Sequence, residues 1–107
     1  MPEIIVTSPA EIKGWIDAKE AIVIDVREAS EYALEHIPGS ILIPLSAFDA
    51  AKVPVPSDGQ KLVIHCQRGV RCGPASQKLA EAGRTHPIYR MRDGFLGWKA
   101  SGGAVER

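Results

Sequence analysis

One stretch of this 107-residue chain gathers side chains suited to covalent chemistry: His65-Cys66-Gln67-Arg68-Gly69-Val70-Arg71-Cys72-Gly73-Pro74. It follows the apolar run Leu62-Val63-Ile64 and leads into residues 74–82, which are helical in character. A strand that ends in a short glycine-containing loop and then enters a helix makes an anion cradle. Successive backbone N–H groups turn inward, and the helix dipole adds partial positive charge. A thiol at the head of that loop should have a lowered pKa, with more thiolate, the nucleophilic form, at neutral pH. Cys66 is the expected nucleophile. Gly69 supplies the tolerance of positive φ that so tight a curl needs, and Arg68 and Arg71 add fixed charge suited to an anionic substrate. A cysteine that only fills space has no need of a glycine and two arginines within the next five residues.

Five short apolar runs must position this loop: Ile4-Ile5-Val6, Ala21-Ile22-Val23-Ile24, Ile41-Leu42-Ile43, Leu62-Val63-Ile64 and Ile88-Tyr89. Each is strand-sized, mostly β-branched and apolar without alternation, as in strands buried on both faces of a parallel sheet. Helical segments lie between them. Ser8-Pro9-Ala10-Glu11 offers an N-cap, a first-turn proline and a capping-box glutamate, after which Ile12, Trp15 and Ile16 share one face. Residues 28–35 predict a short helix stopped by Pro38-Gly39, and a further one is expected from about Ser46 to Lys52, before Pro54 and Pro56. In 74–82, Ala75, Leu79 and Ala82 share a side, with Gly83 as C-cap. Strand and helix alternate throughout, which predicts an α/β fold with a largely parallel sheet. Ligands of such sheets bind beyond the carboxyl ends of the strands, where Cys66 lies. Residues 53–59 read as a surface loop, and residues 1–107 as one domain.

Composition narrows the function classes. There are 13 Lys+Arg and 13 Asp+Glu, for a net charge of zero. Residues 1–59 hold four basic and ten acidic side chains, and residues 60–107 hold nine and three. This asymmetry reads either as mutual neutralisation of two halves of one fold or as an anion site in the second half. Nucleic acid is not an expected partner, because the basic residues form no run or aromatic-interleaved patch. No run approaches the roughly 20 apolar residues of a membrane-spanning helix, and residues 1–6 do not resemble a secretory leader, so a cytoplasmic protein is expected. Two cysteines make neither a disulfide scaffold nor a zinc site, and act as thiols if they act at all. No metal or organic cofactor is called for.

Three motifs, in order, resemble the rhodanese-type sulfurtransferases. They are Ile24-Asp25-Val26-Arg27 with Glu31-Tyr32 and His36-Ile37-Pro38-Gly39-Ser40; the loop Cys66-x-x-Gly69-x-Arg71; and Gly94-Phe95-Leu96-Gly97-Trp98. The resemblance covers nearly the whole chain. It implies a five-stranded, mostly parallel sheet flanked by helices on both faces. It also implies double displacement: Cys66 takes sulfur from a small anionic donor such as thiosulfate, holds it as a persulfide, and passes it to a thiol or cyanide acceptor. The amides of Gln67, Arg68, Gly69, Val70 and Arg71 would stabilise the persulfide, and Arg71, with Arg68, would draw in the donor. Related phosphatases and arsenate reductases of this fold have one more residue between cysteine and arginine. Here four residues separate Cys66 from Arg71, a smaller ring that suits a single sulfur atom.

Other residues have accessory or structural readings. Asp25 falls on the edge where the cysteine loop should lie, either ordering the site, as the resemblance implies, or acting as a plain structural carboxylate. Arg27 and Glu31 are spaced to form a structural ion pair. His36 reads as a structural hydrogen-bonding residue, and His65 should point away from Cys66 by strand alternation. Trp15 reads as core, and Trp98 as core with a wall near the site. Asp93 stands where the family commonly has glycine, and would bring a carboxylate to the cleft. Cys72 replaces a serine-like residue. It either packs into the helix face or attacks a persulfide on Cys66, releasing hydrosulfide and leaving a disulfide. The expected activity is a sulfurtransferase. The competing readings are a carrier module with a protein sulfur acceptor and an inactive regulatory domain, the latter disfavoured by the intact loop.

Overall fold

The computed structural model describes residues 2–68 and 72–107. Each of the five apolar runs is a strand: β1 Ile4–Thr7, β2 Ala21–Asp25, β3 Ile41–Leu42, β4 Lys61–His65 and β5 Ile88–Met91. They form one sheet in the order β1-β5-β4-β2-β3, and every pairing is parallel. β4 is therefore central, paired with β2 from Lys61↔Ala21 to His65↔Asp25.

Helices α1 (Pro9–Asp17), α2 (Ala29–Leu34), α3 (Cys72–Glu81) and α4 (Gly94–Ala100) connect or follow the strands. α1 starts where its sequence predicts, with Ser8 Oγ accepting from the Glu11 N–H. α3 stops at Gly83, whose φ is +86°. There the Arg84 N–H donates to Leu79 O and the Gly83 N–H to Ala80 O, the paired bonds that close a helix with a left-handed residue. Ala82, expected on the buried side, is exposed because it lies in this closing turn.

The pleat sends alternate residues of β2 and β4 to two cores. Ile24, Leu62, Ile64 and Cys66 pack with Cys72, Ala75 and Leu79 beneath α3. Val23 and Val63 face Ile12, Phe95 and Trp98 of α1 and α4. Burial on both faces holds for these inner strands and fails at the edges: Ile4 and Val6 of β1 and Ile41 of β3 are exposed. An apolar run does not by itself distinguish a central strand from an edge strand.

The helix expected over Ser46–Lys52 is instead two 3₁₀ turns, Leu45–Ala47 and Ala50–Lys52. Phe48 is extended between them, and the Asp49 carboxylate accepts from the Ala51 N–H, starting the second turn afresh. Val53 is buried, whereas most of the loop after it is exposed. Among the described residues no helix is long and apolar enough to cross a membrane.

Candidate active site

Cys66 follows β4 directly and is 1% exposed. Its sulfur belongs to the α3 core, and Cys72, the first residue of α3, brings its own Sγ to 3.6 Å from it. Cys72 also donates to Ile64 O at 3.4 Å. The Cys66 contact is the largest influence raising the Cys72 pKa, with burial next, so Cys72 keeps its proton well beyond the usual thiol range. The Arg90 guanidinium of β5 pulls the other way. It lies 3.7 Å from where a Cβ on Gly73 would stand. Gln67 is half-buried and Arg68 exposed. Gly69, Val70 and Arg71, expected to complete the cradle, lie outside the described residues.

α4 supports the loop from the opposite side. The Phe95 N–H donates to Cys66 O at 2.6 Å, and the Leu96 N–H donates to Gln67 O at 3.2 Å. This element was legible only as a motif, since two glycines in seven residues argue against a helix. Gly97 is needed there: a Cβ would stand 2.8 Å from Arg92 O. Asp93, just before α4, has φ +60° and is exposed beside this junction.

The neighbouring residue of β4 faces the other way, as alternation predicts. His65 is fully buried, its ring 6.1 Å from that of Phe95. Burial lowers its pKa to about 4 against the upward pull of Asp25, so the ring is neutral at pH 7. Its Nε2 is 3.6 Å from Asp25 Oδ2, too far for a hydrogen bond.

Asp25 and Arg27 correct the sequence reading. Arg27 pairs with Asp25, not Glu31: Nη2 approaches Oδ2 at 2.8 Å, Nε reaches both carboxylate oxygens at 3.0–3.1 Å, and the pair is buried. The pairing follows from backbone shape. Arg27 lies at a bend before α2, where its own N–H donates to Asp25 Oδ1 at 2.9 Å and folds the residue back over that carboxylate, so helical i, i+4 geometry does not apply. The Glu31 carboxylate accepts from the Glu28 N–H. Arg27 also donates to Glu35 O at 2.7 Å and to Gln67 Oε1 at 3.3 Å, and lies over the Phe95 ring at 4.2 Å. Asp25 thus reaches the cysteine loop through Arg27, a link the sequence reading missed. The Asp25-Val26-Arg27 spacing, which suits an Asx turn, could have signalled it.

A hollow of about 130 Å³ opens beside Gln67, walled by Arg27, Glu31, Leu34, Phe95 and Lys99. Trp98 is no part of that wall. It lies in the α1–α4 core, donating to Ala104 O. Trp15 is half-buried against the same core, edge-on to Tyr89. His36 is structural, stacked on Tyr32 at 3.8 Å and bonded to Tyr32 O and Glu106. Lys99–Glu35 joins the basic and acidic halves of the chain.

The rhodanese-like domain family matches residues 8–101. An uncharacterized protein of Synechocystis is 32% identical over 98 residues, covering 92% of this chain and 54% of that protein. YqhL of Bacillus subtilis, also uncharacterized, is 39% identical over 80 residues, covering 75% of this chain and 62% of YqhL. The chain therefore spans little more than half the length of these relatives. The probable adenylyltransferase/sulfurtransferase MoeZ of Mycobacterium tuberculosis is 30% identical over 94 residues, which is 85% of this chain and 24% of MoeZ. Among solved structures, a thiosulfate sulfurtransferase from Pseudomonas aeruginosa superposes with a TM-score of 0.81 at 28% identity, over 97% of this chain and 20% of that one. The chain belongs to the rhodanese-like domain family.

Proposed function

We propose that this protein moves sulfane sulfur from thiosulfate or a related anionic donor to a thiophilic acceptor through a persulfide on Cys66. The observation that carries the reading is a cysteine directly after the central strand, six residues before α3 begins at Cys72. The thiolate of Cys66 attacks the outer sulfur of the donor, sulfite leaves, and cyanide or a thiol then takes the sulfur. Gln67, Arg68, Gly69, Val70 and Arg71 form the binding loop, with Arg71 attracting the donor. Asp25 is a positioning residue that acts through Arg27 and Gln67. Four residues between Cys66 and Arg71 favour sulfur over a tetrahedral oxyanion.

A second reading, a carrier that serves a protein acceptor, is favoured by the likeness to MoeZ, of which this chain matches only 24%. Mixing with thiosulfate and excess cyanide tests both. Stoichiometric sulfite followed by rapid thiocyanate, both lost in Cys66→Ala, is the expected result for the enzyme. A sulfite burst with slow thiocyanate supports the carrier, and no sulfite from the wild type overturns both.

A further inference from the structure

Two buried thiols face each other on the α3 side of the sheet, Cys72 at 0% and Cys66 at 1% exposure. Cys72 Sγ is held at once by Ile64 O at 3.4 Å and by Cys66 Sγ at 3.6 Å. Ile64 belongs to β4 and Cys66 directly follows that strand, so the second sulfur meets Cys66 within the α3 core.

We propose that once Cys66 carries a sulfane sulfur, Cys72 attacks Cys66 Sγ, forming a Cys66–Cys72 disulfide and releasing the sulfur as hydrosulfide. The protein would then have a second activity, reduction of sulfane sulfur to sulfide, which rests on the persulfide reading above. The step balances within the molecule. The bond between the two Sγ atoms forms, and the bond from Cys66 Sγ to the outer sulfur breaks with its electron pair going to that sulfur. The Cys72 proton leaves with it as HS⁻. The outer sulfur gains two electrons, and the two cysteines supply them. A dithiol reductant then restores both thiols by exchange. A disulfide bond is about 2.05 Å long, so the sulfurs must close by about 1.5 Å.

The resting state holds this step back. With Cys66 as thiolate, the neighbouring thiol cannot also ionise, and Cys72 stays protonated as its hydrogen-bond donor. Sulfuration moves the negative charge from Cys66 Sγ to the outer sulfur and removes that restraint, while Arg90 still favours the Cys72 thiolate. The second nucleophile is released by the first half-reaction.

The test uses reduced protein, freed of small thiols and mixed anaerobically with thiosulfate, with sulfite, sulfide and intact mass followed together. The wild type should release about one sulfite and about one sulfide per chain and then stop, two hydrogens lighter. Peptide mapping should find the Cys66–Cys72 disulfide, and a dithiol should restart sulfide production. Cys72→Ser should stop one sulfur heavier, with sulfide release slowed roughly ten-fold or more. Cys72→Ala should match it, separating loss of the thiol from loss of a hydrogen bond. A wild-type persulfide as long-lived as that of Cys72→Ser, or a disulfide between two chains, overturns the proposal while sulfite release still upholds sulfur transfer. Absence of sulfite overturns the persulfide reading itself, and this step with it.

Discussion

His65 and Cys66 are consecutive, yet they enter two environments that handle charge in opposite ways. On the His65 side, Asp25 and Arg27 are buried as a matched pair with nearly every polar atom engaged, and the histidine is kept neutral. On the Cys66 side, two sulfurs lie in an otherwise apolar core, with Cys72 donating to Cys66. The first environment resists any change of protonation, since removing either charge strands the other. The second tolerates change, because a thiol is small, weakly polar and able to lose a proton or gain a sulfur. The pleat lets adjacent residues divide a buried charge pair from the proposed nucleophile.

Four measurements break or sharpen that division. Arg27→Ala leaves the Asp25 carboxylate buried and uncompensated, and should cost about 3–5 kcal/mol in urea unfolding. Arg27→Lys should recover only part of it, because an ammonium cannot make the bidentate contact.

The pH dependence should be nearly as large. His65 titrates near 6.5 when unfolded and at about 4 when folded. The unfolded chain therefore binds the extra proton first as pH falls. Stability is unaffected by this group above pH 7, drops by about 3 kcal/mol between pH 6.5 and 4, and is flat below. His65→Gln should remove that slope in the difference between variant and wild-type unfolding curves.

Cys66→Ser should cost only about 1 kcal/mol while abolishing sulfite release from thiosulfate. A stability loss as large as that of Arg27→Ala would end the division between the two sides. Lys99→Ala removes a solvent-exposed partner of Glu35, and should leave the urea midpoint unchanged.

Local signals in the sequence were reliable where one short-range interaction decides the outcome. The Ser8 cap, the Gly83 stop and the side to which His65 turns are such cases, each set by backbone geometry over a few residues. The five strands and their parallel pairing were legible from their apolar, β-branched runs and the helices between them. Strand order was not, because the runs at Ile4 and Ile41 look like those of the centre. Cys66 could be singled out by its loop chemistry, but the partners of Asp25 and Arg27 could not. Their pairing depends on a bend two residues beyond β2, where i, i+4 spacing suggested a helix.

The bonds from α4 to the cysteine loop have a directional consequence. A trans peptide is a rigid plane with its C=O and N–H pointing opposite ways, and none of the described peptides is cis. Because Phe95 and Leu96 capture the carbonyls of Cys66 and Gln67, the amide protons of Gln67 and Arg68 must turn away from α4. The terminal helix therefore aims two donors it never touches. Any substitution that tilts its first turn, such as one at buried Gly94 with φ +56°, would rotate both planes together.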